Sequence, residues 1–288
     1  MRPVTPTTPR PGIDVIFECG RTWRLEELPL RSIALDGAVR GPFVDVSRGV
    51  YSFDHHDGCI RHVTLSTCEQ VRDALLVGLD PAGFSVFVND VDADTVISTW
   101  LLQHPQRLQG EGSARLRRMV HRVGRVDALG PGWGKAHPLS SLTTPAPSVR
   151  RTRALLDSCL ELVERWWSGE KLPPLPPPPT ATGLWVRDGQ VCRARVRGGL
   201  RSVYRSGGFG VAAFEGPAGS TAYTVGKQSE FIDFDVPAFL AACNELEPGW
   251  GGGSTIGGSP RHADGSRSRL SLDEVAGLLL EVATRGGS

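Results

Sequence analysis

Residues 49–105 read GVYSFDHHDGCIRHVTLSTCEQVRDALLVGLDPAGFSVFVNDVDADTVISTWLLQHP, and this stretch decides the fold class. Val50–Phe53 predicts a short strand that runs into a polar loop at Asp54-His55-His56. Ser66-Thr67, with Glu69 in the first turn and apolar residues at Val71, Leu75, Leu76 and Leu79, predicts a helix that opens on an N-cap. The segment SVFVND, 85–90, is compact and β-rich, and the Val96, Ile97, Trp100 and Leu101 that follow share one face of a helix stopped by Pro105. Strand, helix, strand and helix in this order predict an α/β domain with a mainly parallel sheet flanked by helices. In such domains ligands gather beyond the carboxyl ends of the strands.

Upstream, IDVIFECG (13–20) and TWRLEEL (22–28) alternate well enough to be strands, and residues 114–123 and 148–168 supply two further helices. The proline-rich stretch KLPPLPPPPTATG, 171–183, favours extended polyproline II and excludes a helix interior, so it is expected to link two domains. Residues 12–170 then form the first domain and 184–288 a smaller α+β domain. In the latter, LWVRDGQVCRARV (184–196) predicts a hairpin turned at Asp188-Gly189. RSVYRS (201–206), GVAAFEG (210–216) and STAYTVGKQ (220–228) predict short strands, and helices near 236–246 and 271–284 flank a glycine-rich segment.

Composition narrows the function classes. The 32 Lys plus Arg against 31 Asp plus Glu leave a net charge of +1, so any phosphate binding must be local rather than driven by a global basic field. The six cysteines are scattered without a CxxC pair, which points to a reduced cytoplasmic protein. Residues 1–11 are polar and proline-rich, lack the apolar run of a signal peptide, and are expected to be a disordered tail. No window has the length and apolarity of a membrane span. Abundant Gly and Pro with Arg in preference to Lys suggest a GC-rich bacterial coding bias, against which lone glycines count for little.

Phe53-Asp54-His55-His56-Asp57 sets carboxylates beside two imidazoles at a strand end, a ligand set that suits manganese, iron or zinc, or else a polar surface turn. Asp90, Asp92 and Asp94 stand at alternate positions before a helix, where they could bracket a hard cation or cap the helix electrostatically. Two such clusters at strand ends of one parallel sheet favour a shared site. The second domain's Gly252-Gly253-Ser254-Thr255 can turn backbone N–H groups toward one anion, and Arg261 can add a bidentate contact. A flexible connector is the competing interpretation of that segment.

Asp54-His55-His56 after a β-run resembles the signature triplet of the DHH phosphoesterase superfamily, and Asp90, Asp92 and Asp94 before an amphipathic helix resemble its acidic motif. His121 with Asp127-Ala-Leu-Gly resembles the isolated aspartate that completes the superfamily's metal set, and residues 249–261 resemble its glycine-rich substrate loop. Two features depart from the family pattern. The triplet here precedes the acidic motif, and Val88-Asn89 occupy the place of the histidine that usually stands before that motif.

The resemblance implies a divalent-metal-dependent hydrolase of a nucleotide, a short oligonucleotide or a related phosphorylated small molecule. Manganese is the first candidate ion, and two ions about 3.5–4 Å apart would clamp an in-line displacement. Asp54, Asp90, Asp92, Asp94 and Asp127 are the expected metal ligands, and His55 and His56 the expected catalytic imidazoles. Gly252, Gly253, Ser254, Thr255 and Arg261 are the expected phosphate contacts. The alternative is a non-catalytic nucleotide-binding or protein-interaction scaffold. A membrane partner is not expected, and a homodimer is compatible with the sequence.

Overall fold

The structure, a computed structural model, describes residues 12–130, 137–141, 152–173, 177–262 and 264–285. It divides into two compact units, the first holding the described residues up to Ala128 with 137–141 and 152–173, the second holding 129–130 and the described residues from 177 on. The expected tail lies outside the described residues.

The first unit contains β1 (Asp14–Phe17), β2 (Ser32–Leu35), β3 (Phe43–Asp45), β4 (Val50–Phe53), α1 (Thr67–Leu76), β5 (Ser85–Val88), α2 (Ala93–Gln103), α3 (Ser113–Leu129) and α4 (Arg153–Trp167). Its sheet has the order β1-β5-β2-β4-β3. The pairs β1–β5, β5–β2 and β2–β4 are parallel, and only the edge strand β3 is antiparallel. This is the expected α/β arrangement. The all-apolar or small strands β2 and β5 occupy the middle, as strands covered on both faces must.

Helix α2 is buried on almost every side from Ala93 to Leu102. Its polar residues are satisfied locally: Ser98 Oγ donates to the Asp94 carbonyl at 2.7 Å, and Thr99 Oγ1 to the Thr95 carbonyl at 2.8 Å. Val96, Ile97, Trp100 and Leu101 join Val71, Leu75, Val86 and Leu156 in one core that fixes α2 against α1, α4 and the sheet.

Three expectations for this unit are corrected. TWRLEEL is not a strand. Leu25–Glu27 form a 3₁₀ turn closed by the Glu27 carboxylate, which accepts from Arg24 N, while Trp23 and Leu28 bury beside Phe87. Helix α3 continues to Leu129, six residues beyond the expected end, and so contains Asp127. Helix α4 starts at Arg153 because the Thr152 hydroxyl caps Leu155 N; residues 148–151 of the expected helix lie outside the described residues.

The second unit contains β6 (Thr180–Arg187), β7 (Gln190–Arg197), α5 (Leu200–Gly207), β8 (Phe209–Glu215), β9 (Thr221–Lys227), α6 (Val236–Leu246), β10 (Gly251–Gly252), β11 (Ile256–Gly258) and α7 (Leu272–Arg285). Its six strands form one antiparallel sheet of order β10-β11-β9-β8-β6-β7. The β6–β7 hairpin turns at Asp188 (φ 50°) and Gly189 (φ 71°), the left-handed pair that a two-residue turn requires.

RSVYRS, expected as a strand, belongs to α5. Leu200, Val203 and Tyr204 lie at i, i+3 and i+4 and are all buried, a helical period that the short window hid. Strand β6 begins at Thr180, so the last four residues of the expected linker are strand. Among the described residues no helix is long and apolar enough to cross a membrane.

Candidate metal centre

Strand β2 lies between β4 and β5, with Leu35 opposite Phe53 on one side and Ala34 opposite Phe87 on the other. The three strands therefore end at the same level, and the next residues of each meet there: Asp36 after β2, Asp54-His55-His56 after β4, and Asn89 to Asp94 after β5. Asp36 leaves the sheet with φ 51°, a left-handed conformation that aspartate tolerates better than most residues. Helix α3 brings Asp127 to the same place.

His55 is the centre of the cluster. Its side chain is fully buried, and Nε2 lies 2.9 Å from Asp127 Oδ2, 3.5 Å from Asp36 Oδ1 and 3.6 Å from Asp94 Oδ2. None of these approaches has the alignment of a hydrogen bond, and both ring nitrogens are buried without a hydrogen-bond partner. For Nδ1 that condition costs on the order of 1–3 kcal/mol unless something else binds it, whereas Nε2 stands in ion-pair contact with the three carboxylates. Two overlapping triads share this imidazole: Asp36, His55 and His56, and His55, Asp94 and Asp127. Within each triad the ligand atoms lie within 4.8 Å of one another. Carboxylates around an imidazole nitrogen that lacks a hydrogen-bond partner match the donor set of a divalent ion.

The electrostatics agree with a cation-seeking site. Burial alone would discharge His55, but Asp127, Asp36 and Asp94 hold its proton and raise it to about 10. Burial, with the charges of Asp127 and Asp36 added, raises Asp94 to about 7. Burial and then the Asp36 charge push the Asp92 carboxyl well up. Asp36 goes the other way: burial opposes its ionisation, but the His55 ring, the His56 charge and the Asp92 carboxyl together hold it well below the usual range.

Most of these side chains are held by contacts of their own. Asp36 accepts from the hydroxyls of Thr67 (3.0 Å) and Thr95 (3.3 Å). Asp94 accepts from Thr67 N (2.6 Å) and Cys68 N (2.9 Å), so it caps the N-terminus of α1, where the Ser66 side chain makes no cap bond. Asp92 is the N-cap of α2 and accepts from Thr95 N at 2.7 Å.

The expected residues divide accordingly. His55, His56, Asp94 and Asp127 converge in the triads, and Asp92 lies against Asp36 at their edge. Asp54 is adjacent but fully engaged. Its Oδ1 accepts from His55 N and His56 N and lies 2.9 Å from His56 Nδ1, while Oδ2 accepts from Gly41 N. It therefore orients the triplet's histidines rather than joining the ligand atoms. Asp90 is not among the converging groups; its carboxylate accepts from Val91 N. His121 pairs with Glu69 at 2.8 Å and stands outside the set. Burial and Asp94 push the Cys68 thiol well up, and its Sγ lies against Ser66 Oγ and the Val120 carbonyl rather than among the converging ligand atoms.

In the second unit the expected phosphate contacts do not converge. Gly252 belongs to β10, and Gly253, Ser254 and Thr255 form the turn into β11. Arg261 follows the opposite end of that strand, six positions beyond Thr255. The glycines serve the strand pairing, since a Cβ on Gly252 would stand 2.3 Å from Gly257 Cα, and Gly253 N is already bonded to the Ile256 carbonyl.

Asp36, and Arg61 whose guanidinium lies 3.4 Å from the Asp127 carboxylate, were not singled out from the sequence. Asp36 carries the same signal as the others, an acid directly after the small apolar run Ser32–Leu35, but the run is only four residues long. Arg61 has no local signal at all. No family model matches the chain, and no curated protein or solved structure matches it.

Proposed function

We propose that the first unit is a divalent-metal phosphoester hydrolase related to the DHH phosphoesterases. The observation that carries this reading is the convergence of Asp36, Asp94 and Asp127 on the buried His55 nitrogen, beyond the carboxyl ends of three adjacent strands. Asp36, His55, Asp94 and Asp127 would hold the ion, with manganese the first candidate. An ion bound there supplies Lewis acidity toward a phosphoryl oxygen and lowers the pKa of water toward neutrality.

The chain's own residues provide the rest. Asp54 ties up Nδ1 of His56 and leaves Nε2 of this half-exposed ring as the nitrogen that can give a proton to the departing oxygen. Asp92, whose carboxyl burial and the Asp36 charge push well up, lies against Asp36 and helps to hold that carboxylate below the usual range and in place. Asn89, at the position where the family keeps a histidine, spends its amide on the Gly37 carbonyl at 3.0 Å. This favours one tightly held ion over a symmetric pair.

The test is hydrolysis of p-nitrophenyl phosphate, bis(p-nitrophenyl) phosphate and a dinucleotide by the purified full chain with manganese, and again with EDTA. Turnover that needs manganese, and that falls at least about a hundredfold in both Asp36→Asn and Asp94→Asn, supports the proposal. Loaded protein that cleaves none of the three esters argues for the scaffold alternative.

A further inference from the structure

The loop between β4 and α1 carries a guanidinium that reaches the edge of the centre. Arg61 Nη2 lies 3.2 Å from the main-chain oxygen of Asp127 and 3.4 Å from its Oδ2, the same carboxylate oxygen that stands 2.9 Å from His55 Nε2. Both bonds are long and both use one nitrogen. Among the described residues, Arg61 Nε and Nη1 have no partner. The Arg61 and Asp127 side chains are about equally open to solvent, 29% and 28%, whereas those of His55, Asp36 and Asp94 are at most 3% exposed. Arg61 therefore lies on the open side of the cluster, where a ligand would enter.

Charge gives this position a purpose. Asp36, Asp54, Asp92, Asp94 and Asp127 crowd the centre with carboxylates, so an incoming phosphoester meets an anionic surround even after an ion has bound. A planar guanidinium beside the ion matches two nonbridging phosphate oxygens, and it binds them more strongly than a weakly aligned carboxylate. When Asp127 is drawn onto a cation, its charge is shared and its hold on Arg61 weakens.

We propose that Arg61 binds the phosphoryl group of the substrate, resting on Asp127 until a divalent ion takes that carboxylate. This rests on the metal-centre reading above. It differs from a structural role for Arg61 in the sign of one measurement. A residue that competes with the ion for Asp127 opposes metal binding, whereas a residue that braces Asp127 assists it.

The experiment uses the full chain as wild type, Arg61→Ala, Arg61→Gln and Arg61→Lys, with calorimetric titration of manganese and then of inorganic phosphate into the loaded protein. Manganese affinity in Arg61→Ala and Arg61→Gln is expected to equal or exceed that of the wild type. Phosphate affinity is expected to fall at least about tenfold in both, with part of the loss recovered in Arg61→Lys. Weaker manganese binding with unchanged phosphate affinity would make Arg61 a brace and overturn the inference, as would a loaded wild type that binds no phosphate. A wild type that binds no manganese would overturn the metal-centre reading, and this inference with it.

Discussion

Metal binding at this centre must displace protons, and the number displaced follows from the two groups that hold them. His55, raised to about 10, is charged across the whole neutral range, and Asp94, raised to about 7, is half protonated there. Both must be deprotonated to ligate. Near pH 6, manganese binding should therefore release about two protons, and near pH 8.5 about one. At pH 7 the His55 proton alone stands three pH units from release (10 − 7), which weakens the apparent affinity by about 4 kcal/mol, or about a thousandfold.

The metal-free protein should respond to pH in the opposite sense. Its raised His55 and Asp94 contribute stability below their unfolded pKa values, and that stability is lost as pH rises through about 7 for Asp94 and about 10 for His55. Calorimetry in buffers of different ionisation enthalpy counts the protons, and thermal unfolding with and without EDTA gives the stability curves. A third proton would bring Asp92 into the ligand set. An affinity that stays flat from pH 6 to 9, with no proton released, would refute the reasoning, because His55 could not then be both charged among these carboxylates and a ligand.

Other outcomes separate roles within the cluster. Asp54→Asn should keep manganese but lower turnover by roughly 10–100-fold, since it releases His56 Nδ1 without touching the ion's ligands; manganese content and kcat measured together check this. Asp36→Asn should lose the ion yet remain folded by circular dichroism, because the amide oxygen can still accept from one of the Thr67 and Thr95 hydroxyls while the NH2 group donates to the other. Gly124→Ala should destabilise the first unit by about 1–3 kcal/mol in urea unfolding, because the new Cβ would stand 2.3 Å from Ser66 Oγ and 2.7 Å from Glu69 Cγ.

The first unit's fold was legible where hydrophobic period and length agreed. Helices α1 and α2, with strands β4 and β5, follow from residues 49–105 almost unaided, and with them comes the level at which His55 and Asp94 meet. Strand β2 was not legible because Ser32–Leu35 is short and sits among arginine, glycine and proline. The carboxylate that joins the two clusters, Asp36, was missed along with it. Asp54 illustrates the opposite limit. Its place in the triplet marks it as a ligand, but only coordinates reveal that four backbone and ring nitrogens already surround its carboxylate.

Tertiary packing decided the remaining differences. Alternation in TWRLEEL and RSVYRS was real but too short to tell a strand from a turn of helix, and burial of Leu200, Val203 and Tyr204 settled the latter. The glycines of residues 249–258 suggested an anion cradle, yet the close β10–β11 approach accounts for Gly252 without a ligand. Contacts such as Arg61 to Asp127, 66 positions apart, leave no trace in local pattern.

The central claim is that one ion binds between β2, β4, β5 and α3, and anomalous scattering tests it most directly. Crystals of the full chain grown with manganese should give an anomalous peak at roughly 2.0–2.3 Å from His55 Nε2 and from carboxylate oxygens of Asp36, Asp94 and Asp127. A fully occupied manganese solution that leaves this position without a peak, or places its peaks only on exposed carboxylates, would contradict the account.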